Sequence, residues 1–156
     1  MKPEQLQQLR QLITRQRILA LSVLVDGAPY VGLLPYAITA DHRSFLVHAS
    51  RLARHTSGLE NGAPFAVLIH TPDLPETDAL QIERVTLQGT VELVDKSTAE
   101  YGEGRQLYVQ RFPSSEQTFL LGDFNLYRLS LVQGRYVSGF ARAVNVTAKD
   151  IEQLAR

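Results

Sequence analysis

Apolar residues recur along this chain with two different periods, and the changes from one to the other lay out its elements. Leu6, Leu9, Leu12 and Ile13 come at helical spacing among glutamines and arginines, with Pro3 near the first turn. That spacing predicts an amphipathic helix over residues 4–16 whose apolar stripe lies on the rest of the fold. The run from Ile18 to Val25 passes through Asp26-Gly27-Ala28-Pro29 into Tyr30 to Tyr36, two apolar, β-branched stretches about an Asp-Gly turn, so a hairpin is expected. Ala40-Asp41-His42-Arg43 makes another polar turn, and Ser44 to His48 a third strand. A short helix through Glu60 is expected next, ended by Asn61-Gly62-Ala63-Pro64, and then a fourth strand over Phe65 to His70.

Residues 71–78 are too rich in proline and acid for regular structure and read as an exposed loop. Residues 84–94 alternate with a period of two: Val85, Leu87, Gly89, Val91 and Leu93 face one way, Thr86, Gln88, Thr90 and Glu92 the other, as in a half-buried antiparallel strand. A helix is expected over 98–112 in spite of Gly102 and Gly104, with Pro113-Ser114-Ser115 ending it. Residues 124–132 and 134–140 read as a last hairpin turning at Gln133-Gly134, and 147–156 as a closing helix capped by Thr147 with Asp150 three residues on. Six or more antiparallel strands with peripheral helices give a mainly β, α+β chain built as a small barrel or sandwich, a single domain over residues 1–156.

Composition narrows the function classes. Sixteen basic and sixteen acidic residues cancel, so no overall field draws the chain to nucleic acid or to an anionic membrane, and any phosphate binding must be local. Without cysteine there is no disulfide framework, thiolate nucleophile or sulfur-ligated metal. The polar N-terminus lacks an apolar signal core and no run approaches the ~20 apolar residues that span a bilayer, so a soluble cytoplasmic protein is expected.

The stretch with most chemistry is Ser50-Arg51-Leu52-Ala53-Arg54-His55-Thr56, directly after the third strand. Arginine presents a planar donor fork that matches phosphate oxygens, hydroxyls add short donors, and the free amides of a helix start add positive partial charge. The competing reading is a solvated, charged helix start. Of the four histidines, His48 at a strand end and His55 in the basic turn are placed to flank a ligand; His42 and His70 read as ordinary surface residues, and no pair has metal-binding spacing. Gln88, polar among β-branched neighbours, points either to water or to a flat hydrogen-bonding ring. Glycine-rich dinucleotide, P-loop and serine-hydrolase elbow motifs are all missing, which removes those nucleotide folds and that nucleophile.

Taken together these residues resemble the FMN-binding split-barrel family of pyridoxamine 5'-phosphate oxidase, in its haem-utilisation branch. The resemblance runs nearly the full length. It rests on Leu34-Pro35-Tyr36-Ala37, on His48-Ala49-Ser50-Arg51-Leu52-Ala53-Arg54-His55-Thr56, on Leu87-Gln88-Gly89, and on Asp123-Phe124 followed by Gly139-Phe140-Ala141-Arg142-Ala143. It implies a six-stranded antiparallel split β-barrel that forms a homodimer, with non-covalent FMN at the dimer interface. By the same resemblance Ser50, Arg54 and Thr56 contact the phosphate with Arg51 and His55 nearby; Pro35, Tyr36, Ala37, His48 and Gln88 contact the ring, and Arg142 approaches from the other subunit. An FMN-dependent oxidoreductase acting on a small molecule is the activity implied, the cofactor carrying the chemistry. The alternative is a haem-binding or haem-utilisation protein, with Asp123 and either His48 or His55 near the ligand. Two departures bear on the choice. Ser57-Gly58-Leu59 stands where the family often has Arg-Asn-Leu, and the chain stops at Arg156, where haem-degrading relatives continue into a tail that supplies the iron's histidine.

Overall fold

Eight strands make one antiparallel sheet in the computed structural model, which describes residues 1–139 and 142–155. They are β1 (Ile18–Val25), β2 (Ala28–Pro35), β3 (Ala37–Ile38), β4 (Ser44–Ser50), β5 (Pro64–His70), β6 (Arg84–Leu93), β7 (Phe124–Val137) and β8 (Ala143–Val146). Around the sheet lie α1 (Pro3–Arg15), α2 (Ala99–Arg111) and α3 (Ala148–Gln153). The spatial order is β2-β1-β5-β6-β7-β4-β3, with β8 alongside the end of β7. Alternate residues of every long strand, among them Leu21, Val47, Val67, Leu87 and Leu129, fill a shared interior. β2 and β4 share no ladder among the described residues, so the barrel is split there.

Local chemistry explains most of these elements. Asp26 and Gly27 both have positive φ, 53° and 76°, the backbone that a two-residue hairpin turn demands, and they join β1 to β2. Helix α1 buries Leu9, Leu12 and Ile13, and its final carbonyls find donors elsewhere: the Tyr36 hydroxyl donates to Ile13 O at 2.6 Å, and Arg111 of α2 donates to Thr14 O and Gln16 O. Thr147 and Asp150 form the expected capping box at α3. In β4 every residue from Ser44 to Ala49 is buried, because its second face is covered by α2 and by the 3-10 segment Pro113–Leu120.

Two expectations fail. The stretch after β4 is no α-helix through Glu60 but a 3-10 segment, Arg54–Gly58, preceded by a turn. Gly58 lies so close to β1 that a Cβ there would come within 2.7 Å of Leu24 O, and the segment wedges into the split instead of continuing. Nor is there a turn at Gln133-Gly134: β7 runs through it, and the chain reverses only between Val137 and Ala143. Gly134 has no positive φ; it is small because a Cβ would meet Thr86 O at 2.3 Å across the ladder. Beside it the pairing shifts from Gln88 with Gln133 to Gly89 with Leu131, a bulge at Val132 that turns Val132 outward and bends the barrel wall. Phe140 and Arg156, the expected ends of the last strand and last helix, lie outside the described residues.

The same contacts separate two glycine substitutions. A Cβ on Gly89 would lie 1.7 Å from Ser130 O, whereas nothing stands within 4 Å of one on Gly102 in α2. Gly89→Ala is expected to cost about 3 kcal/mol by urea unfolding, and Gly102→Ala to be neutral or to stabilise by up to about 1 kcal/mol.

Candidate functional site

The bend after β4 hangs from a strand held on both sides. Ser50 is paired with Phe124 at the start of β7, and Asp123 just before it reaches the bend twice: its carbonyl accepts Arg51 N–H at 2.8 Å and its carboxylate accepts the Ser50 hydroxyl at 2.5 Å. Ser50 Oγ in turn accepts Leu52 N–H at 3.1 Å. The Thr56 hydroxyl donates to Ser50 O at 2.6 Å, and the amides of Ala53 and Thr56 donate to Ser50 O and Ala53 O. The two hydroxyls and four of the amides expected to face a phosphate therefore already have acceptors inside the bend. What is left to a ligand is the pair Arg51 and Arg54. Both are exposed; among the described residues Arg54, 64% exposed at its side chain, makes only a 3.8 Å pair with the exposed Asp26 and lies 5.9 Å from the Tyr30 ring centre.

His55 is half-buried against β2: a Cβ on Gly32 would come 2.9 Å from its Nδ1. Burial holds its imidazole below the ordinary range, so it is neutral near pH 7. His48 is more enclosed, 7% exposed. Its ring stacks on Phe119 with centroids 3.7 Å apart, and Phe124 and Tyr108 complete the box at 5.0 and 5.8 Å. Thr118 Oγ1 gives its proton to Ser115 O at 2.7 Å, so at 3.2 Å it accepts one from His48 Nδ1. Nε2 is then the bare nitrogen, and it is buried without a partner among the described residues. Burial, with Lys96 and Arg105 adding repulsion, pulls this imidazole down to about 4.

The structure gathers some of the sequence-derived residues and scatters others. Ser50, Arg51, Arg54, His55 and Thr56 share the bend, with His48 two residues back on the face of β4 that carries Ser50. Pro35 and Ala37 lie farther back along β4, since Ala37 pairs with Leu46, four residues before Ser50, and the Tyr108 hydroxyl donates to Pro35 O at 3.4 Å. Tyr36 between them is a core residue, its ring 4.9 Å from Phe45 and its phenol held well above the ordinary range by burial, with Arg111 partly offsetting. Gln88 and Arg142 are elsewhere. Gln88 is exposed on β6, accepts from Gln133 at 3.3 Å, and lines a groove of about 760 Å³ with Arg135 and Asn145. Arg142 sits in the turn leading to β8, at the opposite end of β7 from the bend. Asp123, which the haem alternative sets near the ligand, is at the bend, whereas Gly32 was not among the expected site residues. The position of Asp123 before the strand that pairs with β4 was the available signal; nothing local marked Gly32.

The model of the pyridoxamine 5'-phosphate oxidase family matches residues 6–138 of this chain. The haem oxygenase HutZ of Vibrio cholerae is 26% identical over 141 residues, 88% of this chain and 77% of that protein. Among solved structures, a haem-binding protein from Mycobacterium smegmatis superposes with a TM-score of 0.84 at 20% identity over 98% of this chain, which spans only 62% of that protein. HutZ, described there as the haem storage protein of Vibrio cholerae, superposes with a TM-score of 0.76 at 21% identity, covering 86% of this chain and 94% of that one. Among the described residues no helix is long and apolar enough to cross a membrane.

His48 makes the fold acid-sensitive in a defined window. An unfolded histidine takes a proton below about 6.5, the folded His48 only below about 4, so its contribution is complete above 6.5 and is lost as pH falls between those values. Wild type should lose about 3 kcal/mol over that range from this group, and His48→Phe should remove that part of the slope in urea unfolding measured from pH 7 to pH 4.

Proposed function

The chain belongs to the pyridoxamine 5'-phosphate oxidase family, and from that premise we propose that it is a haem-handling split-barrel protein that works as a pair of identical chains. One observation carries the haem reading: the bend sets two solvent-facing guanidiniums, Arg51 and Arg54, beside the neutral, half-buried imidazole of His55. Guanidinium forks pair with carboxylates, which haem carries at its edge, and an unprotonated imidazole is the form that binds iron. The donor set fits that group. The haem names of HutZ and of the mycobacterial protein support the same choice. His48 is less suited, because Phe119 stacks on its ring and closes it off. When bound, haem supplies the iron at which redox chemistry occurs; the chain's share is to hold the carboxylates, keep His55 neutral and exclude water.

A second reading, an FMN-dependent oxidoreductase, is favoured by the strand-to-arginine bend, which a flavin phosphate also fits. Ala37 is paired with Leu46, four residues before Ser50, while Gln88 is on the outer face of the sheet, three strands from Val31 along the row Val31, Ser22, Ala66, Gln88. On that row's spacing Gln88 is ~14 Å from β2. The face between them is apolar: Ile18, Leu24, Val31, Leu33 and Leu68 are exposed, Leu33 by 68% and Val31 by 63%. Such a patch marks a protein contact, and a second copy presents a matching patch.

Two measurements test these readings. Titrating the purified chain with haem should give a sharp Soret band that His55→Ala abolishes or shifts, that Arg54→Ala weakens, and that His48→Phe leaves in place. Titration with FMN alone producing bound flavin absorbance, with indifference to haem, would instead select the second reading. Light scattering should give twice the chain mass for wild type and the single mass for Val31→Asp/Leu33→Asp; a single mass for wild type refutes the pair.

A further inference from the structure

We propose that Asp123 tunes the charge of the anion accepted at the bend, weakening a phosphate dianion more than a singly charged carboxylate. The inference rests on the reading of the bend as an anion site. Its basis is where the hydroxyl protons go. Ser50 has one proton, and it points to the Asp123 carboxylate across 2.5 Å; one of its lone pairs already holds Leu52 N–H. Thr56's proton is committed to Ser50 O. An anion at Arg51 and Arg54 therefore finds no hydroxyl donor facing it, and behind Ser50 it meets a negative charge.

Asp123 is anchored at its backbone. Its carbonyl is fixed by Arg51 N–H at 2.8 Å, and the next residue, Phe124, pairs with Ser50 in the β4–β7 ladder. The repulsion it exerts scales with the charge of the ligand, and a phosphate monoester near pH 7 carries nearly twice the charge of a carboxylate. The two arginines also attract the dianion more strongly, and Asp123 takes back part of that advantage. The bend thus has the cations of a phosphate site and a built-in penalty against phosphate.

Asp123→Asn tests this while keeping the shape, since the amide oxygen still accepts the Ser50 proton. FMN, riboflavin and haem would be titrated against the whole chain, wild type and variant, after checking that the two melt at the same temperature. The expected result is FMN binding tighter by on the order of tenfold in the variant, riboflavin unchanged, and haem altered about threefold or less. Adding Arg54→Ala to the variant should cancel the gain. FMN binding that ignores the substitution, or riboflavin tightening in parallel, overturns the proposal and leaves the anion site standing. Failure of haem and FMN to bind either protein overturns the anion site and the proposal together.

Discussion

Because β4 is covered on both faces, the bend that follows it starts from backbone that has nowhere to move. Phe45, Val47 and Ala49 face the barrel interior, while Leu46 and His48 are roofed by α2 and the 3-10 segment Pro113–Leu120. The strand is paired along its whole length with β7. A strand of this kind has its register fixed from two sides, since a slip of one residue would exchange both faces at once. The polar groups that follow inherit that rigidity. Ser50 is the last paired residue of β4, and everything that could touch a ligand within the bend comes in the next six positions.

How those positions are used follows from the accounting of polar groups. A tight bend against a barrel must satisfy its own amides, and this one does so with its own carbonyls, with the Ser50 hydroxyl and with Asp123. Short donors are consumed by the folding of the bend; long, flexible, charged ones are left over. Recognition is thereby shifted from hydroxyls and amides, which select by geometry, to guanidiniums, which select by charge. The neutral His55, packed over Gly32, is the exception, a group with fixed geometry at the edge of a charged surface.

Much of this was legible in the sequence wherever one local rule decided the outcome. The Asp-Gly turn, the amphipathic stripe of α1, the Thr147 cap and the alternation of Val85, Leu87 and Val91 each depend on neighbours in the chain, and each is present. The failures came where a distant strand decided. Gly134 suggests a turn when read locally, but its smallness answers to Thr86 O on β6. The bend suggests an α-helix, yet Gly58 must clear Leu24 O on β1. The same holds at the site. The arginines were found because cations signal through composition, whereas the spending of Ser50's proton was hidden because its acceptor, Asp123, lies 73 residues away.

The separation of the expected ligand residues has one more consequence for the architecture. The bend lies at one end of β7, Arg142 at the other, and Gln88 with its groove on the outer face between. No single copy can close these groups around one ligand. The surface that joins them is the apolar outer face of β1, β2 and β5, whose exposure a stable solitary barrel has no reason to keep. Pairing two copies antiparallel across that face would bury it and at the same time carry the far end of one chain toward the bend of the other. The apolar patch and the dispersed polar residues then have a common cause. On the proposed pairing, each chain would hold a rigid cationic half of a site, and the remaining half would be reached by association, not by folding.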